Sequence, residues 1–96
     1  MSAERWSIKW EGRLVGWIES PRIDFPHYYG RWNDVEGPDA ATFLAALRLA
    51  VNKDDGLIVE ILDGIFGIAY VHPDDDNGEF NVRQVGFRSA RNYIQS

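Results

Sequence analysis

Ninety-six residues make one domain spanning residues 1–96, with no room for a second hydrophobic core. A composition of 45% hydrophobic and 26% charged residues is that of a folded chain, and the absence of cysteine excludes disulfides, thiolate catalysis and sulfur-ligated zinc. The net charge of −5 argues against nucleic acid, because a phosphate backbone requires a basic face.

The N-terminus, Met1-Ser-Ala-Glu-Arg-Trp, has no apolar run of the signal-peptide kind. The longest nearly apolar stretch, Ile65 to Val71, is far shorter than the roughly 20 residues that cross a bilayer. A cytoplasmic location and no membrane partner are the expectations.

Trp6, Ile8 and Trp10 alternate with polar residues, the period-2 pattern of a half-buried strand. Glu11-Gly12 reads as a two-residue turn into a second strand, Arg13 to Glu19. That register faces Trp10 with Arg13, Ile8 with Val15 and Trp6 with Trp17, gathering all three tryptophans on one face.

Ser20 to Pro38 holds three of the four prolines. A structureless loop that long is uncommon in a compact domain, so a short strand is expected at His27–Trp32, just after Pro26.

A helix begins at Pro38 or Asp39, where proline fits the first turn and aspartate complements the dipole. Ala40, Phe43, Leu44, Leu47, Ala50 and Val51 form its apolar stripe, with Leu49 on the opposite side. Gly56 is the expected left-handed residue that ends it.

Leu57–Leu62 and Ile65–His72 flank Asp63-Gly64, a strong hairpin signal. A two-residue turn there sets Ile61 opposite Phe66, Val59 opposite Ile68 and Leu57 opposite Tyr70, a face suited to the helix stripe. The reverse face, with Ile58, Leu62, Ile65, Ala69 and Val71, is too apolar for water and calls for a second cover. That cover is the N-terminal hairpin, a second copy or a partner protein. A last strand, Glu79 to Arg88, changes phase and implies a bulge near Arg83-Gln84, and residues 89–96 read as a frayed tail.

The fold expected from these elements is α+β: a largely antiparallel sheet of five to six strands with one helix packed on a face, in the order β-β-(β)-α-β-β-β.

Asp24, His27, Tyr28, Tyr29, Arg31 and Trp32 form the densest polar-aromatic group and are the candidate binding residues, being of the types enriched at interface hot spots. The competing reading makes Tyr and Trp core and Asp24 and Arg31 ordinary surface charges. The acidic run Asp74 to Glu79 lacks the Gly at the sixth position that a calcium loop needs, and reads as a solvated turn. His27 and His72, the only histidines, read as surface or structural residues. No sequence motif for a nucleophile, a phosphate loop, a metal or a dinucleotide occurs, so no catalytic residue and no cofactor is assigned and an enzyme is unsupported.

The charge and the acidic loops lead to a small acidic protein-interaction module, an inhibitor or immunity-type partner of a basic protein, with self-association as a further expectation. The alternative is a small-molecule or enzymatic site between the aromatic segment 24–32 and the sheet.

Overall fold

A computed structural model describes residues 4–62 and 64–86. In chain order these form β1 (Arg5–Trp10), β2 (Arg13–Asp24), β3 (His27–Asp34), α1 (Pro38–Asn52), β4 (Leu57–Ile61), β5 (Ile65–Ala69) and β6 (Glu79–Gly86), with a short 3-10 turn at Pro73–Asp76 before the last strand. All strand pairs are antiparallel in the order β1-β2-β3-β6-β5-β4, and β4 returns to β1 through Ile8↔Ile61 and Lys9↔Glu60.

The sheet is therefore a closed six-stranded barrel, not the open sheet with a helix on one face that the sequence suggests. Closure pairs the sheet's two outermost strands and gives each wall strand one inside and one outside.

The inside is apolar and filled. Ile8, Val15, Ile18, Val59, Ile61, Ala69, Phe80 and Val82 are all buried there. The helix closes one end of the barrel. It enters after β3 and leaves into β4, and its Phe43 ring lies 5.6 Å from Trp10, 5.8 Å from Trp32 and 6.0 Å from Phe80. The helix limits and stripe are as the spacing predicts, with Ala40, Phe43 and Leu47 buried and Leu49 exposed. Its end differs: the left-handed residue is Asp54 (φ 57°), not Gly56, and the amides of Lys53 and Asp54 bond back to Ala50 and Val51. Arg13–Asp39 (3.1 Å) and Arg48–Asp75 (2.7 Å) tie the helix to β2 and to the 3-10 turn.

Residues 57–69 do form a tight antiparallel pair, but one register step away from expectation. Ile61 pairs with Ile65, Val59 with Gly67 and Leu57 with Ala69, so the connection is three residues, 62–64, with Leu62 at φ 56° and Gly64 at φ 98°. A one-residue slip moves every side chain of one strand to the other face. Val59 and Ile61 thus share the interior with Gly67 and Ala69, while Phe66, Ile68 and Ile58 turn outward. Gly67 makes the inward register possible. A Cβ there would meet Val82 Cγ1 well inside van der Waals contact and Arg83 O at 2.8 Å.

The N-terminal hairpin shows a related shift. Glu11 (φ 53°) and Gly12 (φ 80°) make the expected turn and Trp10 faces Arg13, but a bulge between Ile8 and Lys9 moves Ile8 opposite Gly16 and Trp6 opposite Ile18. Trp6 and Trp10 stay on the core side. Trp17 faces outward opposite Ser7, with the Arg5 guanidinium 4.8 Å over its ring. This hairpin does not fold over the second face of β4–β5; it continues the same sheet through β1 and β4.

β3 runs two residues beyond the expected strand, to Asp34. In β6, Phe80, Val82 and Gln84 all point inward, and the ladder to β5 shifts between Gln84 and Gly86, one residue beyond the expected bulge. Phe87 and the expected tail 89–96 lie outside the described residues.

Candidate functional site

The alternation of β3 divides the aromatic segment between the two sides of the wall. Tyr28 is buried inside, where its hydroxyl donates to the Gln84 side-chain carbonyl and its ring lies 5.7 Å from Trp6. Trp32 also points inward, 4.7 Å from Phe80, and its indole N–H donates to Asp34 at the rim. His27, Tyr29 and Arg31 face out. His27 Nδ1 sits 3.3 Å from the Tyr70 hydroxyl, and Arg22 stacks 4.5 Å above the Tyr29 ring while pairing with Glu79 at 2.6 Å. Arg31 stands between Glu19 and Glu79 in the ladder, and Asp24 is exposed at the β2–β3 turn. These six residues do not converge on one site: Tyr28 and Trp32 finish the core, and the others are spread along the outer wall. The segment is itself a wall strand rather than a layer over the sheet.

Of the two histidines, His72 is buried and structural: its Nδ1 accepts the Asp74 backbone N–H at 3.1 Å and so starts the 3-10 turn. The acidic run forms that turn, and Asp76 accepts from Asn81 at 2.7 Å. No cluster of potential metal ligands occurs among the described residues.

The unexplained surface lies elsewhere. Ile58 and Ile68 pair across β4 and β5 and both point away from the interior; Phe66 and Tyr70 continue the strip along and just beyond β5. Ile58 is 58% exposed, Tyr70 38%, and Val85 of β6, beside the strip, 49%. Isolated apolar side chains on a surface are ordinary, but neighbours in register form a contiguous patch, which is a mark of an interaction site.

A recess lies at each end of this strip. One, of about 420 Å³, is lined by Lys9, Trp10, Glu11, Ile58, Glu60 and Phe66 among others, at the seam between β1 and β4. The second, of about 430 Å³, lies where α1 runs into β4 and includes Asp54, Asp55, Ile68, Tyr70 and Arg83. Burial, helped by the charge of Asp76 and opposed by Arg83, pushes the Tyr70 phenol above its ordinary value.

The search for polar-aromatic density favoured β3; of the strip, Ile58 stood on the face expected to need a second cover, and Phe66, Ile68 and Tyr70 on the face expected to meet the helix. The available signal was the apolar character of both phases of 57–70, visible in the sequence but divided differently by a two-residue turn. No family model matches the chain, and no curated protein or solved structure matches it significantly.

Proposed function

We propose that this chain is a small acidic protein-interaction module, of the inhibitor or immunity type, that binds a basic protein. The observation that carries this reading is the outward apolar strip Ile58, Phe66, Ile68 and Tyr70, which the closed barrel does not use for its own core. A wall that needs only its inner side chains for stability gains nothing from large apolar groups outside, whereas an interface does.

Charge supports a basic partner. Glu11 lines a recess with Ile58 and Phe66, Asp54 and Asp55 line one with Ile68 and Tyr70, and Asp76 lies close enough to Tyr70 to act on its phenol. Carboxylates beside an apolar centre favour a basic surface and speed its approach. A second copy is the weaker occupant, since association would bring together two chains of net charge −5. A cytoplasmic setting accompanies this reading, as a chain with no cysteine requires no oxidising compartment.

The test is affinity capture from the native host at low salt with two baits, the wild-type chain and Ile68→Asp. A basic protein retained by the first, released by salt and absent from the second is the expected result. Retention of no basic protein, or equal retention by both baits, defeats the proposal.

A further inference from the structure

The seam of the barrel is shorter than the strands that flank it. β4 pairs with β5 along its whole length, Leu57 to Ile61, yet its ladder to β1 comprises only Ile8↔Ile61 and Lys9↔Glu60, extended by Leu62 N–H to Ser7 O at 3.1 Å. In an antiparallel ladder the N–H and C=O of alternate residues point to the same side. Since Leu62 bonds toward β1, Glu60 and Ile58 also present their main-chain groups on that side. Glu60 meets Lys9, whereas the position that would face Ile58 is Glu11, where β1 has already turned away at φ 53°. The ladder thus supplies no strand opposite Ile58, and the recess of about 420 Å³ opens at that point, lined by Trp10, Phe66, buried Val59 and exposed Ile58.

The geometry points to strand addition at this seam: an extended segment of a basic partner takes over the line that β1 leaves at Trp10, runs antiparallel to β4, and bonds the N–H and C=O of Ile58. This rests on the reading of the chain as a protein-binding module and specifies how its partner is held. Main-chain hydrogen bonds supply affinity in such a mode, and alternate side-chain positions supply selectivity. Residues of one phase lie beside Ile58 and Phe66, continuing the apolar strip, and residues of the other enter the gap at Trp10. Charge complementarity sets the flanks. Glu11 and Glu60 line the recess and Asp54 and Asp55 lie just before β4, four carboxylates against two lysines, Lys9 and Lys53. The added segment therefore alternates apolar with lysine or arginine residues.

The probe is a display library of random short peptides panned on the full chain, followed by synthesis of the enriched peptide. Two measurements follow. Amide hydrogen exchange on the wild-type chain reads Ile58 directly: exchange at Ile58 is expected to slow when the peptide is added. Ile58→Pro deletes the seam-facing N–H, which is not part of the β5 ladder, and is expected to weaken peptide binding roughly tenfold, the equivalent of about one good hydrogen bond. Enrichment of peptides without the alternating apolar-basic pattern, or a bound peptide that leaves Ile58 exchanging as in the free chain, overturns the inference. The exchange measurement decides the matter if the proline variant does not fold. A basic protein captured equally by wild type and Ile58→Pro but lost from Ile68→Asp would overturn the seam and leave the module standing. Capture of no basic protein by the wild type would remove the module itself.

Discussion

Gly67→Ala separates the closed barrel from the open sheet by the sign of its effect. In the barrel the added methyl points inward, overlapping Val82 Cγ1 and lying 2.8 Å from Arg83 O. The valine could rotate, but the carbonyl belongs to β6 and can move only if the β5–β6 ladder moves. Overpacking of this kind costs about 1–3 kcal/mol. At roughly 4–8 °C per kcal/mol for a domain of this size, a midpoint value lowers the melting temperature by about 8–16 °C. In a sheet with Gly67 facing open space, the same substitution would remove only unfolded-state freedom and stabilise by about 0.4–1 kcal/mol. Urea unfolding followed by tryptophan fluorescence measures the difference, and the same substitution in a Val82→Ala background should cost less, because one of the two obstructing groups is gone. A neutral or stabilising Gly67→Ala would refute both the register and the closure argued from it.

Phe43→Ala removes the ring that the helix places against Trp10, Trp32 and Phe80, and is expected to cost about 3–5 kcal/mol in thermal or urea unfolding. Tyr28→Phe leaves the buried Gln84 carbonyl without its donor and should cost about 1–3 kcal/mol, whereas Tyr28→Phe with Gln84→Leu should recover much of that loss in the same assay. The Arg48 guanidinium holds the Asp75 carboxyl below its ordinary value by a direct hydrogen bond. A depressed carboxyl adds stability that is present above its unfolded-state value and lost as pH falls through the folded one. NMR titration of Asp75 should show the depression, and Arg48→Gln should reduce it.

How much of this structure could be read from the sequence depended on how far each signal reached along the chain. The helix was legible because its signals are local: Pro38 and Asp39 at the start, and Phe43 and Leu47 at helical spacing. The existence of the hairpins at Glu11-Gly12 and at residues 62–64 was legible for the same reason. Register was not. Asp63-Gly64 suits a two-residue turn, yet Leu62 adopts a left-handed conformation and lengthens the loop by one, and that single residue exchanges the inner and outer sets of β5 while those of β4 stay as expected. The bulge at Ile8/Lys9 has no marker in residue type, and it alone moves Trp17 from core to surface. Closure was invisible because it rests on Ile8↔Ile61 and Lys9↔Glu60, contacts between residues more than half the chain apart.

Closure also changes what an apolar residue outside the wall means. In an open sheet, two apolar faces are a packing problem, and the natural solution is a second layer supplied by the same chain. In a barrel, the inner face is satisfied by the opposite wall and by Phe43 and Leu47 from the helix, so no second layer is required. Ile58, Phe66, Ile68 and Tyr70 then lie outside the buried core cluster, and removing the apolar character of Ile58, which is 58% exposed, should cost little stability. Two of the candidate residues of β3 behave in the opposite way: Tyr28 and Trp32 hold the interior together, and replacing them would damage the fold before it revealed any binding role. Separating side chains that stabilise the barrel from those outside its core is thus the argument for putting the proposed interface on β4 and β5, and the short seam with β1 is the argument for putting the proposed strand addition at Ile58.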